Sequence, residues 1–338
     1  TNQGTLRNYG FEAEVRANII NKGGFTWDMN ANISSVANKI ISLPYNGVDK
    51  NRVGGYEVAA GKVGADGKFP TKWIAGRQEG GKLGELVAYK QQHIFKDWDD
   101  VKQHANMRID EVANLYGPGL ADQINPLTNK PYKESTGWQP IEPGDVCWED
   151  MNGDDVINGY DRYVVGNIFP NITGGFSTTF GYKGISLYAR FDYALGHTLY
   201  NDLAARSLGQ YQGSFNVIDK VKDTWSEANP NSDLPKFYYA DQLSKKNITR
   251  SNDSNTAADS NSSRFYEKGD YLALREITLS YQLPKSLISK VHMTDASVYV
   301  TGQNLFYITG YEGVSPEPVV STTLSLIHIS EPTRHAQI

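Results

Sequence analysis

Residues 7–36, RNYGFEAEVRANIINKGGFTWDMNANISSV, decide the fold. In the first arm Phe11, Ala13, Val15, Ala17 and Ile19 alternate with Glu12, Glu14, Arg16 and Asn18. In the second, Phe25, Trp27, Met29, Ala31 and Ile33 alternate with Thr26, Asp28, Asn30, Asn32 and Ser34. Apolar residues at every second position mean strands with one apolar and one polar face. Asn21–Gly24 (NKGG) joins the arms as a tight, glycine-bearing turn. Each arm runs for about ten residues, what a tilted strand needs to cross the hydrocarbon layer of a bilayer. The acids, base and amides of the polar face suit a water-filled lumen. A half-buried sheet in a soluble sandwich alternates in the same way, so one hairpin leaves both readings open.

The pattern recurs. Ile172, Phe176, Thr178, Phe180 and Tyr182 lead into a Lys183-Gly184 turn. Beyond it Ile185, Leu187, Ala189, Phe191, Tyr193 and Leu195 share a face opposite Ser186, Tyr188, Arg190 and Asp192. A third, less regular pair is Tyr271–Leu283 (YLALREITLSYQL) and Ala296–Phe306 (ASVYVTGQNLF), with a short Pro284-Lys285 connection. The hairpins are separated by residues 41 to about 160 and 201 to about 262, far beyond the usual connection length in a compact soluble domain. Short turns at one end and long loops at the other describe an up-and-down barrel of the outer membrane. Trp27, Tyr182 and Tyr281 each fall near a short turn, where an amphipathic ring sits at headgroup level. The fold class is therefore all-β: part of a transmembrane antiparallel barrel, about six strands, with short periplasmic turns and long extracellular loops. The alternative is a surface β-sandwich that binds glycan without transport; its sheets would bury their apolar faces against each other.

The bulk numbers narrow the function. The chain has 338 residues, a net charge of -5, 12% aromatic residues with 21 Tyr, and one cysteine, Cys147. Mean hydropathy is -0.50 and no long apolar run occurs, so no transmembrane helix is expected. An acidic balance without a Lys/Arg stripe argues against nucleic acid as a partner. A single cysteine excludes an internal disulfide framework and any multi-cysteine zinc site. No phosphate-cradling glycine motif occurs, and His93, His104, His197 and His292 lack metal spacing. No nucleophile or acid/base set points to an enzyme.

One stretch has ligand chemistry. Asp150–Arg162 reads DMNGDDVINGYDR. Counting Asp150 as one, oxygen-bearing side chains fall at three (Asn152), five (Asp154), nine (Asn158) and twelve (Asp161), and Val156 offers its carbonyl at seven. Calcium takes six to eight hard oxygens, and this spacing is close to an EF-hand-type loop. It departs at six, where Asp155 replaces glycine, and at twelve, where Asp is one methylene shorter than Glu. The other reading is an Asx-rich turn whose side chains cap their own backbone.

Four stretches together resemble the C-terminal part of SusC/RagA-type TonB-dependent outer-membrane transporters of Bacteroidetes. They are Asn8–Ile19 (NYGFEAEVRANI), residues 144–176, Tyr271–Pro284 (YLALREITLSYQLP) and Gln303–Glu317 (QNLFYITGYEGVSPE). A looser match at residues 84–104 implies a short loop helix, with Asp97 capping one that begins at Trp98. The resemblance implies import of a glycan or peptide nutrient, energised by the TonB complex through an N-terminal region. It also implies a SusD-like surface lipoprotein as lid and the lipid bilayer as surroundings. A DxNGDG-like segment is frequent in the family, so the 150–161 loop is implied to be structural. Tyr89, Trp98, Trp138 and Tyr211, in the long loops, are candidates for glycan stacking or lid contact.

The two ends carry their own expectations. Thr1 opens almost directly into a strand, so the chain reads as the inside of a longer protein, with plug, early strands and closing strand elsewhere. Leu324–Arg334, LSLIHISEPTR, resembles the translation of an adapter used in preparing DNA sequencing libraries. Residues 1–323 are accordingly taken as the partial barrel and 324–338 as a foreign tail.

Overall fold

The computed structural model describes residues 4–110, 114–205, 207–208, 218–237 and 262–317. Tyr211 and the adapter-like tail at 324–338 lie outside the described residues. Six long strands form one sheet: β1 (Thr5–Lys22), β2 (Phe25–Ser42), β3 (Ile172–Tyr182), β4 (Ile185–Leu195), β5 (Tyr271–Gln282) and β6 (Ser297–Thr309). Their spatial order is their chain order, and every neighbouring pair is antiparallel. Such a meander is the wall of an up-and-down barrel.

The alternation survives in three dimensions as two continuous faces. Phe11, Val15, Ile33, Met29, Phe176, Phe180, Leu187, Phe191, Ile277 and Leu279 lie in register on one of them. Glu12, Glu14, Asn30, Asn32, Ser177, Arg190, Asp192, Glu276 and Thr278 lie on the other. No second sheet covers the apolar side among the described residues: Phe11 is 58% exposed, Val15 64%, Leu279 54% and Val300 74%. A sandwich would bury these side chains, so that alternative is set aside.

All three short connections lie at one end of the sheet. Gly23 and Gly24 (φ 63° and 78°) form the first turn, and Lys183 and Gly184 (φ 47° and 88°) the second. Two residues of positive φ match the twist of a two-residue hairpin. The third connection is longer than the sequence reading supposed. Pro284, which lacks an N–H, starts a helical turn at Lys285–Ile288, continued by a 3-10 turn at Ser289–Val291. Just above this end a row of aromatic side chains crosses the apolar face. Trp27 stacks on Phe180 at 5.6 Å, Phe25 lies 6.5 Å from Phe180, and Tyr182 and Tyr281 are in the adjoining ladder positions.

Two further departures have local causes. β1 and β2 are 18 residues long, not about ten, and pair up to Thr5 and Ser42, whereas β3 stops opposite Ser35. The excess stands above the wall and carries the first long loop: Ile40 exchanges backbone hydrogen bonds with Gly80 and Gly81 at 2.7 and 3.0 Å. Ile19 leaves the expected apolar row because a bulge between Asn18 and Ile20 gives Ile20 the place opposite Trp27.

At the opposite end lie the described parts of the long connections. Residues 43–171 build short strand pairs, including Glu85–Tyr89 with Arg162–Asn167 and Gln91–Ile94 with Val146–Trp148. A helix, α1 (Trp98–Gln103), is capped as expected: the Asp97 carboxylate accepts from Asp99 N at 3.0 Å and Asp100 N at 2.9 Å. Between these pieces lies a closed apolar core of Tyr89, Phe95, Val101, Ile109, Leu115, Ile141, Val146, Cys147, Trp148 and Ile157. Trp225, from the second long connection, packs against it and donates from Nε1 to the Lys96 carbonyl at 3.1 Å. Gly144 (φ 91°) is required there, since a Cβ would stand 2.6 Å from the Trp225 ring.

The two faces differ in what they tolerate. In the full-length protein, Ile277→Arg, at mid-wall on the apolar face, should destabilise by about 2–4 kcal/mol in lipid-supported urea unfolding. Its neighbour Thr278→Arg, on the polar face, should fall within about 1 kcal/mol of the parent. Equal effects at the two positions would mean that the apolar face does not meet lipid.

Candidate functional site

The polar face is most elaborate about halfway along the wall, where Arg190 and Arg275 lie on neighbouring strands. At Leu274-Arg275-Glu276-Ile277 two polar residues interrupt the period of two, and the ladder answers with a bulge. Arg190 pairs with Glu276 and Phe191 with Leu274, so Arg275 is the extra residue. β6 bulges at the same level, where Asn304 (φ 49°) and Leu305 stand opposite Arg275. Bulges re-aim side chains, and here Arg275 is turned onto the polar side.

Its guanidinium is fully engaged. Nε donates to Asp192 Oδ2 at 2.6 Å, Nη2 to Glu317 Oε1 at 2.5 Å and Nη1 to the Tyr307 hydroxyl at 3.1 Å. Tyr307 in turn donates to Glu317 at 2.6 Å. Glu317 ends a strap, residues 310–317, that folds back over the wall after β6. The strap is held a second time by buried His197, whose Nε2 lies 2.9 Å from the Pro316 carbonyl. Gly269 leaves room for that imidazole, because a Cβ there would stand 2.3 Å from Nε2. The Tyr307 hydroxyl first, and the Arg275 charge besides, hold the Glu317 carboxyl below its ordinary value, with burial opposing.

The 150–161 loop forms a closed set of hydrogen bonds. Asp150 accepts from Gly153 N at 2.6 Å and Asp155 N at 2.8 Å, Asn152 from Asp154 N at 3.1 Å, and Asp154 from Val156 N at 2.9 Å. Asn158 and Asp161 make a capping box over a 3-10 turn, and Asp161 also accepts from Met151 N at 2.8 Å. Asp155 takes φ 62° at the position where the calcium motif has glycine, so the sharp turn is made without one. Burial, assisted by the charges of Asp150 and Asp154, pushes the Asp161 carboxyl up to about 7, against its two N–H donors. Among the described residues no three His, Cys, Asp or Glu side chains converge with metal-binding geometry.

The aromatic candidates part company. Tyr89 is 1% exposed, edge-on to Trp148 at 6.2 Å, and belongs to the loop core. Trp138 is half-buried and packs edge-on against Tyr132 at 5.2 Å. Trp98, at the start of α1, is 53% exposed and free to meet a ligand or lid. Cys147 is fully buried, and desolvation pushes its thiol up to about 12, which removes it from thiol chemistry.

Comparison with known proteins decides the affiliation. No protein-family profile matches the chain. "TonB-dependent receptor P3" of Formosa agariphila is 25% identical over 316 residues, covering 94% of this chain and 26% of the receptor. "TonB-dependent receptor P39" of the same organism is 26% identical over 327 residues, covering 94% and 28%. The chain is homologous to part of a TonB-dependent receptor. It spans about a quarter of the length of the curated relatives it matches. Among solved structures, the RagAB peptide transporter superposes with a TM-score of 0.57 at 20% identity, covering 94% of this chain and 27% of that one. The RagAB peptide importer in its closed-closed state gives 0.56 at 18%, covering 94% and 28%. The six-stranded sheet thus shares its fold with part of the barrel of these transporters, and its location is the outer membrane. Receptor and transporter relatives, not enzymes, are what the chain resembles.

The strap generates a pH test. Because the folded Glu317 carboxyl lies below its ordinary 4.5, its contribution is complete above that value and is lost as pH falls through the folded pKa. Acidification of the full-length receptor should therefore raise hydrogen exchange at residues 310–317 while the β5–β6 ladder stays protected. Glu317→Gln should show the raised exchange at neutral pH and lose the acid step; an unchanged acid step would assign the tether to another group.

Proposed function

We propose that residues 1–323 form part of the wall and the outer mouth of a TonB-dependent importer that takes up a glycan or a peptide, residues 324–338 being foreign to it. The observation that carries this reading is the relation over 94% of the chain to TonB-dependent receptors. The two-faced wall, with short turns at one end and long connections at the other, supports it. The partners proposed with it are a SusD-like lipoprotein over the loops and the TonB complex acting through an N-terminal region. A peptide is favoured over a glycan as cargo only in that the structural neighbours are described as peptide transporters. Of the described aromatic candidates, Trp98 is the most exposed and is proposed for lid or ligand contact.

The test is uptake of labelled oligopeptides and oligosaccharides by cells with the full-length receptor, with and without functional TonB. Uptake of one class that stops when TonB is lost is expected. Uptake indifferent to TonB would make the barrel a passive pore, and surface retention without uptake would make the protein a binder.

A calcium ion at Asp150, Asn152, Asp154, Val156, Asn158 and Asp161 is proposed as a structural clip for this mouth. Oxygen ligands at the motif spacing and the left-handed Asp155 support it; the same side chains are also satisfied by backbone N–H groups without an ion. Calcium at a hundredfold excess over its Kd would stabilise the loop by about 2.7 kcal/mol, raising Tm relative to EGTA. No shift, with calorimetry showing no heat of binding, would leave a self-capped Asx turn.

A further inference from the structure

The polar face holds two arginines close together with opposite circumstances. Arg275 is saturated by Asp192, Glu317 and Tyr307. Arg190, on the next strand, is exposed and makes no ion pair among the described residues, although Glu276 lies opposite it in register. Glu276 instead accepts from the Thr278 hydroxyl at 3.1 Å. Both guanidiniums line a cleft of about 470 Å³ on the lumen side, together with Asn30, Asn32, Ser177 and Tyr188.

Three features make this cleft a binding place. Gly175 forms a notch in its floor: a Cβ there would stand 2.8 Å from the Phe191 carbonyl, and the missing side chain brings ligand close to backbone. Asn32 is held in position by accepting from Gly175 N at 3.1 Å. The side-chain carbonyl of Asn30 is buried and has no hydrogen-bond partner among the described residues, an acceptor still to be satisfied. The charges facing the cleft are Arg190, Arg275 and Asp192, with Glu317 on the far side of Arg275. Among the described residues that line the cleft, Arg190 is the charged one without an ion pair, while Glu276, opposite it in register but outside the lining, accepts from Thr278.

We propose that this cleft is a subsite for a carboxylate-bearing stretch of the imported oligomer, with Arg190 gripping the carboxylate and Asn30 accepting from a neighbouring N–H or O–H of the ligand. The subsite rests on the importer reading. Its ligand chemistry is shared by acidic peptides and uronate-containing glycans. Arg275 does not bind ligand; it fixes Asp192 so that this acid does not neutralise Arg190.

Calorimetry on the full-length receptor with four probes tests it: penta-glutamate, penta-glutamine, a uronate oligosaccharide and its neutral counterpart. Wild type should bind one acidic probe more tightly than the matching neutral one, and which acidic probe that is distinguishes peptide from glycan. Arg190→Gln should weaken the acidic probe about tenfold, the scale of one charge-assisted hydrogen bond, and leave the neutral one unchanged. Arg190→Glu should reverse the preference, and because residue 190 is exposed both variants should fold as the parent does. Equal affinity of wild type and Arg190→Gln for the acidic probe, or equal loss for both probes, would overturn the subsite, as would failure of both acidic probes to bind wild type. Failure of the importer reading shows separately, as binding with the expected charge preference but no TonB-dependent uptake.

Discussion

Every feature of this chain depends on one constraint: backbone N–H and C=O groups inside hydrocarbon must pair with each other, because no water is there to take them. A strand meets that condition only through its neighbours, so the six wall strands pair without interruption from β1 to β6. Side chains are then left to satisfy two solvents, one face each, and this produces the alternation. The wall needs no second layer, and its apolar side chains, open in the isolated sheet, are what lipid covers.

A wall of this kind has no hydrophobic core, and the chain places its core elsewhere. Trp148, Tyr89, Phe95 and Ile109 are among the largest fully buried side chains, and all belong to the first long connection. Loops of such length would be costly to hold in one shape without burial of their own. Here each large apolar side chain withdrawn from water contributes about 1.5–3 kcal/mol, which orders the backbone around it. The upper part of the β1–β2 hairpin, beyond the reach of β3, is the stand to which this second body is pinned at Ile40.

Legibility followed the same division. The wall was readable because its rule is local: alternation gave the strands, and Gly23-Gly24 and Lys183-Gly184 gave the turns. Doubled residues were the weak points. Ile19-Ile20, Arg275-Glu276 and Leu305-Phe306 each break the period of two, and each marks a bulge that a strict period-two reading passes over. The loop core was not readable. Most of its members come from strands of two to five residues, too short to show a period, and the rest from α1 and irregular backbone; only the Asp97 cap before Trp98 stands out. Tyr89 illustrates the difficulty: in sequence it is an aromatic in a glycine-bearing loop, and in space it is core against Trp148. Glu317 joins Arg275 from 42 residues away, a separation that no local pattern announces.

The bulge at Arg275 also bears on the unequal circumstances of the two arginines on the polar face. Arg190 and Glu276 remain cross-strand neighbours beside the bulge, but Glu276 accepts from Thr278, and without the inserted residue Asp192 would be left without a base. Inserting one residue into β5 supplies Asp192 with a cation of its own, and the strap adds Glu317 to complete that shell. Arg275 thus has two carboxylates and a phenol, a well-solvated substitute for water, while Arg190 keeps its charge toward the lumen.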